Sequence, residues 1–129
     1  MPKFSAKSLE RLHTCEPALQ ELFNAVIEVR DCSILCGHRG KEDQDKACAA
    51  GKSQAPWPTS RHNCTPSAAV DVAPYPLDWN DIESFKEFGA LVKEFAEARG
   101  IKIRWGGDFK SFKDYPHFEL VEEKPDGEA

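Results

Sequence analysis

The sequence predicts an α+β fold in which helices pack on a small, mainly antiparallel sheet. Two long stretches carry apolar residues at the helical period, and short apolar runs bounded by glycine and proline have the length of strands. At 129 residues the chain has the size of one domain. We therefore expect a single domain with its core in residues 4–121 and a flexible tail at residues 122–129.

The first third of the chain is predicted to be helical. Ser5 suits the N-cap of a short helix that has Leu9 and Leu12 on one side. Pro17 suits the first turn of a second helix. The apolar positions of this second helix recur every three or four residues and are Leu19, Leu22, Phe23, Val26 and Ile27.

Two further helices are predicted later in the chain. Residues 41–52 are polar and indicate a short helix that ends at Gly51. Residues 78–99 indicate a longer helix, with acidic residues in its first turns and Gly100 after its end. The apolar face of the longer helix consists of Ile82, Phe85, Phe88, Val92 and Phe95.

Four short segments are predicted to be strands: residues 33–36, 69–73, 101–104 and 117–121. In the second of them Val70 and Val72 alternate with small residues and Asp71. Because successive side chains of a strand point to opposite faces, this alternation predicts one buried face and one face turned toward a site.

Charge and composition exclude several classes of protein. The chain has 22 acidic and 17 basic side chains and a net charge of -5, so we expect no broad cationic surface and no nucleic acid as a partner. No run approaches the ~18–20 apolar residues of a membrane span, and the first residues lack the pattern of a signal peptide. These features predict a cytoplasmic protein that does not insert into membranes.

The chain has five cysteines, which is an odd number, and no two of them form a C-x-x-C pair. This pattern indicates neither a full disulfide framework nor a four-thiolate zinc site, and mostly reduced thiols are expected. Cys32 and Cys36 flank an apolar run and suit packing, although a disulfide between them after release into an oxidising compartment is an open alternative.

Three polar residues lie where a sequence that only builds a core does not need them: His62, Asp71 and His117. Two imidazoles and one carboxylate form the ligand set of a catalytic zinc site with one position left open. If the strands of Asp71 and His117 pair, both side chains can reach one metal ion. Cys64, two residues after His62, is an alternative soft ligand, but no sulfur-rich site surrounds it.

Asp114 precedes His117 by three residues across Tyr115 and Pro116. A carboxylate at this position can take a proton from an attacking water molecule and pass it to the leaving amine. Taken alone, each such residue is more often an exposed or structural polar residue, so the assignment needs independent support.

Motifs that follow one another in a particular order supply this support. They are SRHN at residues 60–63, AVDVAPY at 69–75, WGGDF at 105–109 and DYPHFEL at 114–120. Together they resemble the family of zinc-dependent D-alanyl-D-alanine carboxypeptidases and phage L-alanyl-D-glutamate endopeptidases, and most closely its single-domain phage endolysin branch. The pattern FSxxSLxxL from residue 4 and the pattern GxRxxxxQ from residue 37 also resemble that branch, so the likeness extends over residues 4–120.

The resemblance implies a zinc peptidase fold of the DD-peptidase and hedgehog type, with specific roles for residues of the motifs. His62, Asp71 and His117 match the zinc ligands, Asp114 matches the catalytic base, and Arg39 matches the arginine that holds the substrate carbonyl or carboxylate. Three further positions are expected to bind or line the substrate cleft: Gln44, Ser60 and Trp105. One departure is that eight residues lie between His62 and Asp71, a longer loop than in many family members.

The resemblance also implies the reaction. We expect hydrolysis of peptidoglycan stem peptides at the L-Ala–D-Glu bond, with Zn²⁺ as the cofactor. The partner is bacterial peptidoglycan, reached by a monomer after its release from the host cytoplasm through the membrane. Two alternatives stay open at this point: a D-Ala-D-Ala carboxypeptidase or dipeptidase, and a zinc-stabilised binding module without catalysis.

Overall fold

One four-stranded sheet organises the fold. A computed structural model describes residues 2–111 and 113–121, and the predicted tail at residues 122–129 lies outside this part. The strands are β1 (Cys32–Cys36), β2 (Ala69–Pro74), β3 (Ile103–Trp105) and β4 (His117–Leu120). The helices are α1 (Ala6–Leu12), α2 (Pro17–Ile27), α3 (Lys41–Ala49) and α4 (Ile82–Ala98), and 3₁₀ turns occur at Arg61–Asn63 and Gly106–Asp108.

The strands lie in the order β1-β2-β4-β3, and every neighbouring pair is antiparallel. This topology confirms the predicted α+β fold with helices on an antiparallel sheet. In the centre of the sheet Asp71 of β2 lies directly opposite His117 of β4. On the other side of β2, Asp71 is also the partner of Cys36, where a bulge follows Ile34 in β1. The register thus places a carboxylate and an imidazole side by side.

The core lies between the sheet and helices α2 and α4. All five stripe residues predicted for α2 are buried. Phe118 of β4 is fully buried, and its ring makes edge contacts with Phe23 of α2 at 5.4 Å and Phe88 of α4 at 6.0 Å. Since Phe118 faces the helices, its neighbours His117 and Glu119 must face the opposite side of the sheet. The core therefore orients the polar residues of β4.

The helices begin at the residues that the sequence predicts, with the exception of α4. Ser5 caps α1 by accepting a hydrogen bond from the Ser8 amide at 3.1 Å, and Pro17 begins α2 as predicted. Helix α4 begins at Ile82 rather than at residue 78, because the Asp78 side chain accepts from the Asn80 amide in a local turn. Asp81 is then the N-cap. Two smaller shifts are the end of α3 at residue 49 and the start of β3 at residue 103.

Gly89 allows α4 to approach the sheet closely. A Cβ added to Gly89 would lie 2.6 Å from the Trp105 ring. We predict that Gly89→Ala lowers the free energy of unfolding. Alanine stabilises a helix by ~1 kcal/mol relative to glycine. Overpacking the core against the Trp105 ring costs about 1–3 kcal/mol, which outweighs that gain. Urea denaturation measures the difference. Gly40→Ala, where the added Cβ meets no atom within 4 Å, is the matched control, and a more stable Gly89→Ala protein would contradict the prediction.

Candidate active site

The three residues predicted to bind a metal meet at the centre of the sheet. Asp71 lies on β2, His117 lies on β4, and His62 lies on the 3₁₀ turn that precedes β2. The Asp71 Oδ1 atom is 3.2 Å from His62 Nε2 and 3.3 Å from His117 Nδ1. One ligand atom from each residue lies within 4.8 Å of the others. In residues 2–111 and 113–121, no other group of His, Cys, Asp or Glu has this spacing.

The other nitrogen of each histidine ring, which does not face Asp71, lies within hydrogen-bond distance of a protein oxygen. His62 Nδ1 lies 2.8 Å from the Gly37 carbonyl oxygen, and His117 Nε2 lies 2.7 Å from Glu119 Oε1. All four ring nitrogens therefore face oxygen atoms, so two protons or one divalent cation must lie between the rings and Asp71. Zinc prefers nitrogen donors with one carboxylate in such a set, and outer hydrogen bonds of this kind orient metal-binding histidines. The donor set fits zinc.

The close contacts between Asp71 and the two histidines shift the pKa values of all three residues. Burial opposes ionisation of Asp71, but hydrogen bonds from His117 and His62 outweigh it and hold the pKa of Asp71 well below its usual range. Burial likewise opposes protonation of both histidines, and hydrogen bonds to Asp71 outweigh that effect. They raise the pKa of His62 to about 10 and also raise the pKa of His117. Without a metal, these shifts favour an ionised Asp71 between two protonated histidine rings.

The loop between His62 and Asp71 returns the chain to the site. Ser60 caps the 3₁₀ turn by accepting from the His62 amide at 3.2 Å, and Asn63 Oδ1 accepts from the Ser60 amide at 3.0 Å. The Ala68 amide then donates to the Arg61 carbonyl at 3.1 Å, which closes the loop just before β2. The longer spacing therefore leaves Asp71 opposite His117. Ser60 also lines a cleft at the site.

Arg39 is held against the site by buried partners. Its Nη2 atom lies 3.6 Å from Asp71 Oδ2, and its Nη1 atom donates to Gln44 Oε1 at 3.0 Å. Gln44 is fully buried, its Oε1 also accepts from Asn63 Nδ2 at 3.1 Å, and its Nε2 donates to the Ala55 carbonyl at 2.6 Å. Every polar atom of the Gln44 side chain is engaged inside the protein, so direct contact with substrate, the role expected from the sequence, stays a prediction. Gln44 positions Arg39.

Asp114 lies beside the three clustered residues without joining them. Its Oδ2 atom is 4.0 Å from His117 Nδ1, and its side chain is half-buried. The Asp114 amide donates to the Gly106 carbonyl at 3.0 Å, and a Cβ on Gly106 would overlap the Asp114 carbonyl, so this approach requires a glycine. Burial and the nearby charge of Asp71 raise the pKa of Asp114. A carboxylate with a raised pKa suits a proton acceptor near neutral pH.

The Trp105 side chain faces the interior of the protein. It is buried, its Nε1 atom donates to the Tyr115 carbonyl at 2.7 Å, and its ring packs against Gly89 and Gly107. It is absent from the described residues that line the two clefts at the site. The role of Trp105 in lining the substrate pocket stays a prediction, and in this structure its ring packs in the core against α4. Its hydrogen bond anchors the segment that follows Asp114.

Two clefts meet at Asp114 and Arg39. The first, with a volume of about 600 Å³, has many basic side chains in its wall, and we name it the basic cleft. The second, of about 740 Å³, has mainly apolar and aromatic walls, and we name it the apolar cleft. The basic side chains of the first are Arg39, Lys52, Arg61, Arg104 and Lys110, and the walls of the second include Leu35, Trp79, Ile82, Phe85, Tyr115 and Pro116.

Sequence reasoning missed two parts of the site. Asn63 donates to the Arg39 carbonyl at 3.0 Å as well as to Gln44, so it joins the turn of His62 to the segment of Arg39. Its place in the SRHN motif was the available signal. The Gly37 carbonyl, which holds His62, carries no side-chain signal at all. Cys64 is exposed and outside the cluster, and all five cysteines are free thiols.

A pair of histidines, an aspartate and a nearby second carboxylate in an open cleft define the class of metal-dependent hydrolases. The family model for phage L-alanyl-D-glutamate peptidase matches residues 1–126. The chain belongs to this family.

Curated relatives agree with this membership. The chain is 32% identical over 130 residues to the L-alanyl-D-glutamate peptidase of Escherichia phage T5, covering 97% of this chain and 93% of that protein. It is 29% identical over 106 residues to the peptidoglycan L-alanyl-D-glutamate endopeptidase CwlK of Bacillus subtilis, covering 70% of this chain and 61% of CwlK.

Solved structures share the fold. The L-Ala D-Glu endopeptidase ChiX of Serratia marcescens superposes with a TM-score of 0.78 at 30% identity, over 92% of this chain and 90% of ChiX. The vancomycin resistance D,D-pentapeptidase VanY, solved in complex with Zn(II), gives a TM-score of 0.53 at 19% identity, over 82% of this chain and 70% of VanY, and shows the fold alone. The family, the fold and the class of peptidoglycan peptidase expected from the motifs are confirmed.

The charges at the site predict how stability depends on pH. The raised pKa of His62 stabilises the metal-free fold fully below pH ~6.5, and this stabilisation is lost as pH rises toward the folded value of about 10. The lowered pKa of Asp71 stabilises the fold above pH ~4 and is lost as pH falls. We expect the melting temperature of chelated protein to fall from pH 6.5 to pH 10, and that of zinc-loaded protein to fall less.

Thermal melts with and without chelator measure this effect. His62→Gln should flatten the dependence, whereas His13→Gln, which changes an exposed histidine, should leave it as in the wild type. A melting temperature of the chelated wild type that stays constant over this range would show that the two imidazolium rings do not flank Asp71.

Proposed function

We propose that this chain is a zinc endopeptidase that hydrolyses the L-Ala–D-Glu bond of peptidoglycan stem peptides, with His62, Asp71 and His117 as the zinc ligands. The observation that carries the proposal is the convergence of three ligand atoms with both outer ring nitrogens held by protein oxygens. The names of the relatives from phage T5, Bacillus subtilis and Serratia marcescens support this choice of bond.

The ligands provide a rigid site for the metal. Zinc, when bound, acts as a Lewis acid on the substrate carbonyl and on water. Glu119 and the Gly37 carbonyl hold the two imidazole rings in the orientation that turns one nitrogen of each inward. Asp71 adds one negative charge, and its second oxygen faces Arg39.

Asp114 is the proposed proton carrier. It lies where the two clefts meet, so substrate that spans both clefts passes over its carboxylate. Its raised pKa allows it to accept a proton from the attacking water and then to donate that proton to the leaving amine. The carbonyl of Gly106 and the turn to His117 hold the backbone of Asp114 in place.

Arg39 is the proposed electrostatic partner of the substrate carbonyl. Gln44 fixes one end of the guanidinium group, and the side chain is only 14% exposed. A permanent charge that is already oriented stabilises an oxyanion as it develops, because the protein does not have to reorganise during the reaction. Ser60 lies in the same cleft wall and is retained as a substrate contact.

Cellular context extends the same proposal. Within the described part of the chain, no helix is long and apolar enough to cross a membrane. We propose a monomer that neither binds nucleic acid nor inserts into membranes, is made in the host cytoplasm, and reaches peptidoglycan after release through the membrane. A binding module without catalysis would not need a carboxylate where the two clefts meet, and Asp114 lies at that junction.

Two variants separate metal binding from proton transfer. Asp114→Asn should keep bound zinc but lower kcat by about 100- to 10,000-fold, because an amide cannot accept the proton. His117→Ala should lose the metal itself, because one of three ligands is gone. Metal content by mass spectrometry and turnover of a stem peptide measure both. Equal loss of zinc in the two variants would contradict the roles assigned here.

The bond itself is tested by mass spectrometry of fragments released from purified Gram-negative-type peptidoglycan. We expect new peptides with amino-terminal D-Glu, and we expect them to vanish with a chelator and with Asp114→Asn. Release of free D-Ala would instead assign the chain to the carboxypeptidase branch. No fragments from zinc-loaded protein would support the binding module.

A further inference from the structure

The basic cleft is rich in positive charge, although the protein as a whole is acidic. The chain has a net charge of -5, yet five basic side chains stand in the wall of this one cleft. The two carboxylates in the same wall, Asp114 and Glu119, both face His117. The cleft therefore has an excess of positive charge directly beside the proposed metal site, where a concave surface strengthens the attraction for an anion.

Arg104 is held in this cleft by specific contacts. Its guanidinium group lies 5.1 Å above the Phe109 ring, and its Nη1 atom is 3.7 Å from Glu119 Oε2. The Phe109 ring in turn lies 5.8 Å from the ring of His117. The Arg104 side chain is 61% exposed, so it is positioned near the site and still accessible to a ligand.

Two lysines extend the positive surface. Lys110 follows Phe109 directly, and Lys52 follows α3 and lines both clefts. Both are exposed, and neither forms an ion pair with any residue among 2–111 and 113–121. Their ammonium groups are available to a bound anion.

The apolar cleft has less of this character. Its wall is largely aromatic and aliphatic, and it shares Arg39 and Lys52 with the basic cleft but not the other three basic side chains. Its further lysine, Lys113, donates to the Gly107 and Phe109 carbonyls at 3.2 and 3.0 Å. The two sides of the metal site therefore differ in charge, and a substrate whose halves differ in charge can bind in only one favourable direction.

We propose that the basic cleft is a carboxylate subsite that binds the D-glutamyl side of the substrate, with Arg104 and Lys110 as specificity-determining residues. A glutamyl residue has two carboxyl groups, and when one continues the peptide the other is a free anion unless it is amidated. The L-alanyl side adds only a methyl group and suits the apolar cleft. This inference rests on the proposed L-Ala–D-Glu specificity, and it predicts discrimination against amidated D-glutamyl substrates.

The test compares two synthetic stem peptides that differ only in the free D-glutamyl carboxyl group, which is a carboxylate in one and a carboxamide in the other. We expect kcat/KM of the wild type to favour the carboxylate by on the order of tenfold, the effect of one charged hydrogen bond. Arg104→Gln and Lys110→Gln should each reduce this ratio by about two- to fivefold, as for exposed ion pairs, by lowering kcat/KM for the carboxylate alone.

Matched controls remove the same charges elsewhere. Arg99→Gln removes an arginine that also lies 5.1 Å above a phenylalanine ring, at the far end of α4, and Lys86→Gln removes an exposed lysine of α4. Both should leave the ratio unchanged. Equal cleavage of the two peptides by the wild type, or a ratio that the cleft variants do not change, overturns the subsite. Cleavage of neither peptide, with release of D-Ala from peptidoglycan, overturns the proposed bond and the subsite with it.

Discussion

The pairing of Asp71 with His117 across the centre of the sheet is the contact on which the rest of the site depends. Antiparallel register between β2 and β4 brings the two residues face to face, and Phe118, buried between two helices, prevents β4 from turning over. A shift of one residue in β4 would send His117 into the core and Phe118 to the site. The hydrophobic core therefore maintains the geometry of the polar site.

His62 and Arg39 are joined to this pair through the chain that surrounds it. The Arg39 amide donates to the His62 carbonyl at 2.8 Å, and Asn63 links both segments to Gln44. The bond from Asn63 to Gln44 is buried and the bond from Asn63 to the Arg39 carbonyl is partly buried, so loss of Asn63 would leave polar groups without a hydrogen bond inside the protein, which is costly. This polar network holds Arg39 beside Asp71 Oδ2, while the two histidine rings face Asp71 Oδ1.

The surroundings of the site are unequal on its two sides. Basic residues from both ends of α3, from the 3₁₀ turn of His62, from β3 and from the segment after it line one cleft. The loop before α4, the first turns of α4 and Tyr115 give the other cleft its aromatic wall. The same central residues thus face two different chemical environments. The proposed direction of substrate binding rests on this asymmetry, because a substrate whose halves differ in charge would bind more favourably in one direction.

The helices, the strands and the three clustered polar residues are predictable from local patterns in the sequence. Helical and strand periodicities are local, and the stripe of α2 is buried residue for residue as its spacing predicted. The ordered motifs around His62, Asp71 and His117 likewise indicated the family that the comparisons confirm. Periodicity predicts that α4 starts earlier than it does. Asp78 forms a local turn through a side-chain hydrogen bond, which periodicity does not register.

The surroundings of Gln44 and Trp105 depend on tertiary contacts that the sequence pattern does not show. Gln44 is polar but fully buried, because its partners Arg39, Asn63 and Ala55 reach it from separate segments. Trp105 lies in a motif beside the site but packs inward, because Gly89 of α4 leaves space for its ring. The concentration of basic side chains in one cleft of an acidic chain also arises from long-range contacts. Such contacts depend on which distant residues the fold brings together, and sequence spacing does not contain that information.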